Sequence, residues 1–182
     1  AIAKCGFKRS GARMEPLTVR LWGEPGVGKS ELLPLLAARV MRGHVELQGD
    51  EKFAHHVYVR DIANDFWNNY DGQPVVIYDD LGAAADTAGN PNKEFRELIS
   101  VVNVHPLNLP MASIEEKSRT FFRGELILMS SNKEHYATPS LTCPGALKRR
   151  FQIDVEVIRT ETPDYSQIVD TSCYKFYLTR VG

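Results

Sequence analysis

The sequence predicts an α/β domain with a mostly parallel central sheet flanked by helices. Three observations carry that expectation. A glycine-rich loop, Gly23 to Ser30 (GEPGVGKS), stands between an apolar strand, Leu17 to Trp22, and a helix that opens on Glu31-Leu32-Leu33. Two more apolar runs, Pro74 to Tyr78 and Glu125 to Met129, look like strands buried on both faces, and they lead into Asp79-Asp80 and Ser130-Ser131-Asn132. Between them Phe95, Leu98, Ile99 and Val102 recur at i, i+3, i+4 and i+7, the spacing of a helix laid on a sheet.

The 182 residues are 43% hydrophobic, enough for one well-buried core and too few for two ordinary domains, so residues 1–182 are expected to form a single domain. A net charge of −1 gives no global basic field, and contact with nucleic acid would have to come from a local patch or an assembled pore. Cys5, Cys143 and Cys173 are far apart and lack a C-x-x-C spacing, which argues against a disulfide framework or a zinc site and for a reducing compartment. No apolar run approaches the ~20 residues of a membrane span, and no signal-peptide pattern is present, so a soluble domain is expected. The chain opens on Ala1 and reaches core sequence almost at once, as a piece of a longer polyprotein would.

Residues 1–13 are basic, small and irregular and read as a flexible lead-in. The loop that follows the first strand has the phosphate-binding spacing G-x-x-x-x-G-K-[ST]. With Gly at roughly 7% of residues, its four fixed positions coincide by chance in about one chain in a hundred of this length, so the strand before it and the helix after it decide the matter. Gly23, Gly26 and Gly28 suit a backbone that turns its N–H groups inward around phosphate, with Glu24, Pro25 and Val27 completing the cradle. Lys29 would place its ammonium on the β and γ phosphates of a nucleotide, and Ser30 its hydroxyl on Mg²⁺. Pro34 predicts a kink in the helix beyond.

The run 43–56 reads as a surface connection, leading to a short strand at Val57 to Val59. His55 and His56 have no third ligand at a suitable spacing and receive no role. Asp61 to Tyr70 predicts a short amphipathic helix with Ile62, Phe66 and Trp67 on one face, Trp67 being core. Asp79-Asp80 fits either a turn or chemistry. At the carboxyl end of a strand beside a phosphate loop, Asp79 can hold Mg²⁺ and Asp80 can poise an attacking water.

Asn90-Pro91 predicts an N-cap and first helical residue for the Phe95 helix, whose outer face would carry Lys93, Arg96 and Glu97. Lys117, Arg119, Phe121, Phe122 and Arg123 interleave cations with aromatics, as single-stranded nucleic acid requires; a solvated turn with core-facing phenylalanines fits them as well, and the residues alone favour the turn. Asn132 offers a neutral amide at a strand tip, able to contact a γ-phosphate without competing for Mg²⁺. Pro144 marks a short helix ending at Lys148-Arg149-Arg150, three cations that either cap it or reach a neighbouring subunit's γ-phosphate. Strands at Phe151 to Ile158 and Tyr174 to Leu178 complete the expected elements.

The ordered set GEPGVGKS, VVIYDD, LPMASIEEKSRTFFRGELILMSSN and ALKRRF resembles the superfamily-three helicase domain of picorna-like RNA viruses, the 2C-like ATPase, nearest to its insect-virus branch. The resemblance runs from about Arg13 to Asp154. It implies an AAA+-like P-loop ATPase that uses ATP and Mg²⁺ and works as a hexameric homo-oligomer on single-stranded RNA, in the host cytoplasm at viral replication complexes. Residue by residue it places Lys29 and Ser30 on the first motif, Asp79 and Asp80 on the second, Asn132 on the sensor and Arg149 and Arg150 on the arginine-finger pair. Lys117 lies in the stretch associated with nucleic acid, beside Arg119. The cysteine-rich site of the enterovirus members has no counterpart here, so no zinc is expected. Membrane contact is expected only through segments outside this sequence, and this chain alone is expected to be monomeric. The other functions compatible with the same motifs are a remodelling ATPase or RNA chaperone without unwinding and, less favoured, a small-molecule kinase.

Overall fold

A computed structural model describes residues 13–41, 55–117, 119–161 and 171–181. Its elements are β1 (Leu17–Trp22), α1 (Lys29–Met41), β2 (Val57–Val59), β3 (Val75–Tyr78), α2 (Lys93–Val101), α3 (Ile114–Lys117), β4 (Leu126–Ser131), α4 (Gly145–Lys148), β5 (Ile153–Arg159) and β6 (Tyr174–Val181). The sheet order is β2-β3-β4-β1-β5-β6. The first five strands are parallel and β6 returns antiparallel on β5. This is an α/β fold of the P-loop NTPase type, as the sequence predicts.

Period-2 alternation explains why β3 and β4 read as continuous apolar runs. Val76, Tyr78, Ile127 and Met129 point into one core with Phe95, Leu98 and Leu147, while Val75, Ile77, Leu126 and Leu128 point into the other with Leu32, Leu33 and Ala37. Thus α1 covers one face of the sheet, and α2 and α4 cover the opposite face. Because β4 lies between β1 and β3, the carboxyl ends of three strands sit side by side. Trp22 is level with Ser131, and Tyr78 with Met129.

Three local expectations are corrected. Asp61 to Tyr70 forms successive turns and no helix. The buried Arg60 guanidinium donates to the carbonyls of Asp61, Asn64 and Phe66, while the Asp61 and Asn64 side chains accept from the N–H groups of Ala63 and Phe66. Those bonds use the groups a helix would need. Trp67 is nevertheless core, at 1% exposure. The α2 cap is Asn92, whose side chain accepts from Glu94 and Phe95 N–H; Asn90 and Pro91 lie ahead of it. Glu97 is half-buried and not on an outer face: its carboxylate accepts from Arg60, Tyr78 and Trp67. α1 runs through Pro34 as one helical segment, with Pro34 at an exposed position.

The lead-in 1–12, the segment 42–54 and most of the polar passage after Thr160 lie outside the described residues. Arg13, expected at the end of that lead-in, is tied down. Its guanidinium donates to the carbonyls of Ser100, Val101 and His105 at the C-terminal end of α2 and lies over the Phe122 ring.

Glu97→Ala strands the buried Arg60 cation and is expected to cost about 3 kcal/mol of stability. Lys93→Ala, which breaks only an exposed pair with Asp65, is expected to leave the urea midpoint unchanged. Equal midpoints for the two variants would contradict the placement of Glu97.

Candidate functional site

The loop after β1 takes backbone angles that its glycines permit. Gly26 has φ +76° and Gly28 φ +94°, in the left-handed region, and a Cβ on Gly28 would also meet the Tyr174 hydroxyl. Lys29, the first residue of α1, is only 4% exposed. Its Nζ donates to the carbonyls of Gly23 (3.0 Å) and Glu24 (2.8 Å) and to Asn132 Oδ1 (2.8 Å). Burial pulls its pKa below the ordinary lysine value, against Asp80, Glu24 and Asp79, which pull the other way. A cation so held has its three hydrogens aimed at oxygens, an arrangement that phosphate oxygens can replace.

The β3 tip meets the same place. Asp79 Oδ1 accepts from Ser30 Oγ at 2.7 Å and from Ser130 Oγ. Asp80 has φ +51°, an uncommon angle for a residue with a Cβ, and its N–H donates to Ser130 Oγ at 2.8 Å. Asn132 Nδ2 donates to Asp80 Oδ1 at 3.3 Å. Asn132 therefore bridges Lys29 and Asp80, accepting from the cation and donating to the carboxylate, which an amide does with no net charge. Ser30 and Asp79, in contact and exposed, present oxygen donors of the kind a hard divalent cation takes. Their chemistry fits Mg²⁺, and the cradle above Lys29 fits the phosphates of a nucleotide.

A family model described as RNA helicase matches residues 19–133. The chain belongs to this RNA helicase family. Among similar proteins, the replicase polyprotein of Acute bee paralysis virus is 38% identical over 146 residues, covering 80% of this chain and 8% of the polyprotein. That of Drosophila C virus is 38% identical over 144 residues, covering 79% and 8%. The genome polyprotein of Avian encephalomyelitis virus is 34% identical over 149 residues, covering 80% and 6%. The chain thus spans under a tenth of each relative's length, and the resemblance to the helicases of picorna-like and insect viruses holds.

In this member of the RNA helicase family the two arginines after α4 have different surroundings. Arg149 is exposed, whereas Arg150 is 8% exposed and donates to the carbonyls of Ala146 (3.3 Å) and Ile99 (3.2 Å). Burial, then the neighbouring Arg149 charge, lowers the Arg150 pKa. Arg150 is thus engaged with carbonyls of its own subunit, while Arg149 faces solvent. Lys117 closes α3 and Arg119 is exposed just beyond it. Phe122 is fully buried against Trp67 and Tyr70, so the turn reading holds for that ring and it is not offered to bases.

Ser130, Tyr136 and Glu94 escaped the sequence reading. Ser130 orders both aspartates, Tyr136 donates through its hydroxyl to Ser131 Oγ at 2.6 Å, and Glu94 accepts from the N–H of Gly82 at 2.7 Å. The one available signal was the polar end of an otherwise apolar strand, Ser130-Ser131-Asn132.

Arg150→Ala is expected to lower stability by about 1–3 kcal/mol, and Arg149→Ala by under about 0.5 kcal/mol. Thermal melts compare them, and the reverse order would contradict the burial of Arg150.

Proposed function

We propose that this chain is the ATP-hydrolysing motor of a viral RNA helicase, acting as a homo-oligomeric ring, a hexamer in the full-length protein, on single-stranded RNA during replication in the host cytoplasm. The observation that supports it most is the meeting of three segments at the loop mouth, with Lys29 on Asn132 at 2.8 Å and Ser30 on Asp79 at 2.7 Å.

In this reading Gly23, Glu24, Pro25, Gly26, Val27 and Gly28 surround the phosphates with backbone N–H groups, and Lys29 exchanges its carbonyl and amide acceptors for phosphate oxygens. Ser30 and Asp79 would hold Mg²⁺, which when bound neutralises charge between the β and γ phosphates. Asp80 orients the attacking water and accepts its proton. Asn132, already between Lys29 and Asp80, contacts the γ-phosphate and so registers whether it is present. Arg149 supplies the guanidinium that stabilises transition-state charge in the neighbouring site, worth on the order of 10³ in rate. Arg150 supports it from within. Lys117 and Arg119 serve RNA phosphates, with binding that weakens as salt rises. Membrane contact at replication complexes belongs to segments outside this sequence.

Mixing tests the assignment. Lys29→Ala subunits have an intact arginine and a dead site; Arg149→Ala subunits have the opposite. Each alone is expected to lose at least about 100-fold in ATP turnover, and mixed rings to recover part of it. Full turnover by Arg149→Ala rings would contradict the shared site. Turnover indifferent to single-stranded RNA, with no duplex opening, would move the function to protein or membrane remodelling.

A further inference from the structure

Arg20 sits in the middle of β1, the strand that feeds the phosphate loop, at 2% exposure. An apolar residue would fill a buried strand position at lower cost, since withdrawing a guanidinium from water is expensive unless every donor is used. Here four hydrogen bonds run in two directions. Nε and Nη2 form a fork on Asp154 of β5, at 2.7 Å to Oδ1 and 3.0 Å to Oδ2. Nη2 also donates to the carbonyl of Glu134 at 2.9 Å and Nη1 to that of Lys133 at 3.4 Å. The plane is held against Phe151, 4.3 Å from ring centroid to guanidinium carbon, and against Tyr136 at 5.3 Å.

The two carbonyls belong to the residues that immediately follow Asn132. Asn132 is exposed, and its amide turns oxygen toward Lys29 and nitrogen toward Asp80. We infer that Arg20 is a positioning residue for Asn132, holding the Lys133–Glu134 backbone from the sheet face that carries Phe151, so that the amide stays turned to the γ-phosphate position. The inference rests on the nucleotide-site reading above. Asp154 sets the guanidinium, and Tyr136 adds a second hold through Ser131, the residue before Asn132. The Asp154 fork takes two of the guanidinium's hydrogens, and the other two hydrogen bonds both go to the residues that follow the sensor.

Lysine at position 20 keeps a charge for Asp154 but lacks the fork that reaches both carbonyls. ATP hydrolysis is therefore compared for the unaltered protein, Arg20→Lys, Asn132→Ala and the double variant. Arg20→Lys is expected to lower kcat about tenfold with KM within about twofold, and to lower it less than about twofold when Asn132 is already alanine, because residues that act through one another are not additive. Unchanged kcat in Arg20→Lys, or the same loss in both backgrounds, overturns the inference while leaving the nucleotide site standing. Full activity in Asn132→Ala alone overturns the sensor assignment, and the inference with it. Should Arg20→Lys fail to fold, Tyr136→Phe removes one hydroxyl and keeps the ring. It is expected to lower kcat about threefold only where Asn132 is present, and full kcat there overturns the inference.

Discussion

A lysine ammonium withdrawn from water is the constraint on which this structure depends. Lys29 is held by two loop carbonyls and the Asn132 amide, and removing any of the three acceptors would leave a buried cation short of partners, at a cost of several kcal/mol. The loop must therefore curl back on itself, which its glycines allow at positive φ. The β4 tip must also lie beside it, which the sheet order provides. With β4 placed between β1 and β3, one amide can touch the lysine of the first strand's loop and the aspartate of the third strand's tip.

Rigidity behind that point comes from the two-sided burial of β3 and β4. Side chains alternate into two cores, and Val75, Val76, Ile127, Leu128 and Met129 are fully buried. Strands fixed on both faces can hold a strained residue at their ends. Asp80, at φ +51°, is such a residue, kept in place by Ser130 and followed by Leu81, whose N–H donates to the Ser130 carbonyl at 2.8 Å. The packing opposes the strain, and the strain turns the Asp80 carboxylate toward Asn132.

Strands, the phosphate loop and the α2 stripe were legible because each has a local cause: apolar runs, glycine spacing and helical periodicity. So was the order of the motifs, from which the family could be recognised. What was not legible depended on partners far along the chain. Asp61 to Tyr70 has helical periodicity, but Arg60 takes its carbonyls; Glu97 sits on a polar-looking face, but three donors from other elements converge on it. Arg149 and Arg150 are adjacent and alike in sequence, and only the carbonyls of Ala146 and Ile99 tell them apart. Arg20 drew no notice within the Leu17 to Trp22 strand, because its partners lie more than a hundred residues away.

The central claim is that Lys29, Asp79 and Asn132 form one seat for a metal-bound triphosphate. A crystal structure of the protein with Mg²⁺ and a non-hydrolysable ATP analogue tests it most directly. The account requires the γ-phosphate within hydrogen-bond reach of both Lys29 Nζ and the Asn132 amide, with the metal on Ser30 and on Asp79, directly or through water. A triphosphate bound elsewhere, with Lys29 still on Gly23, Glu24 and Asn132, would contradict it.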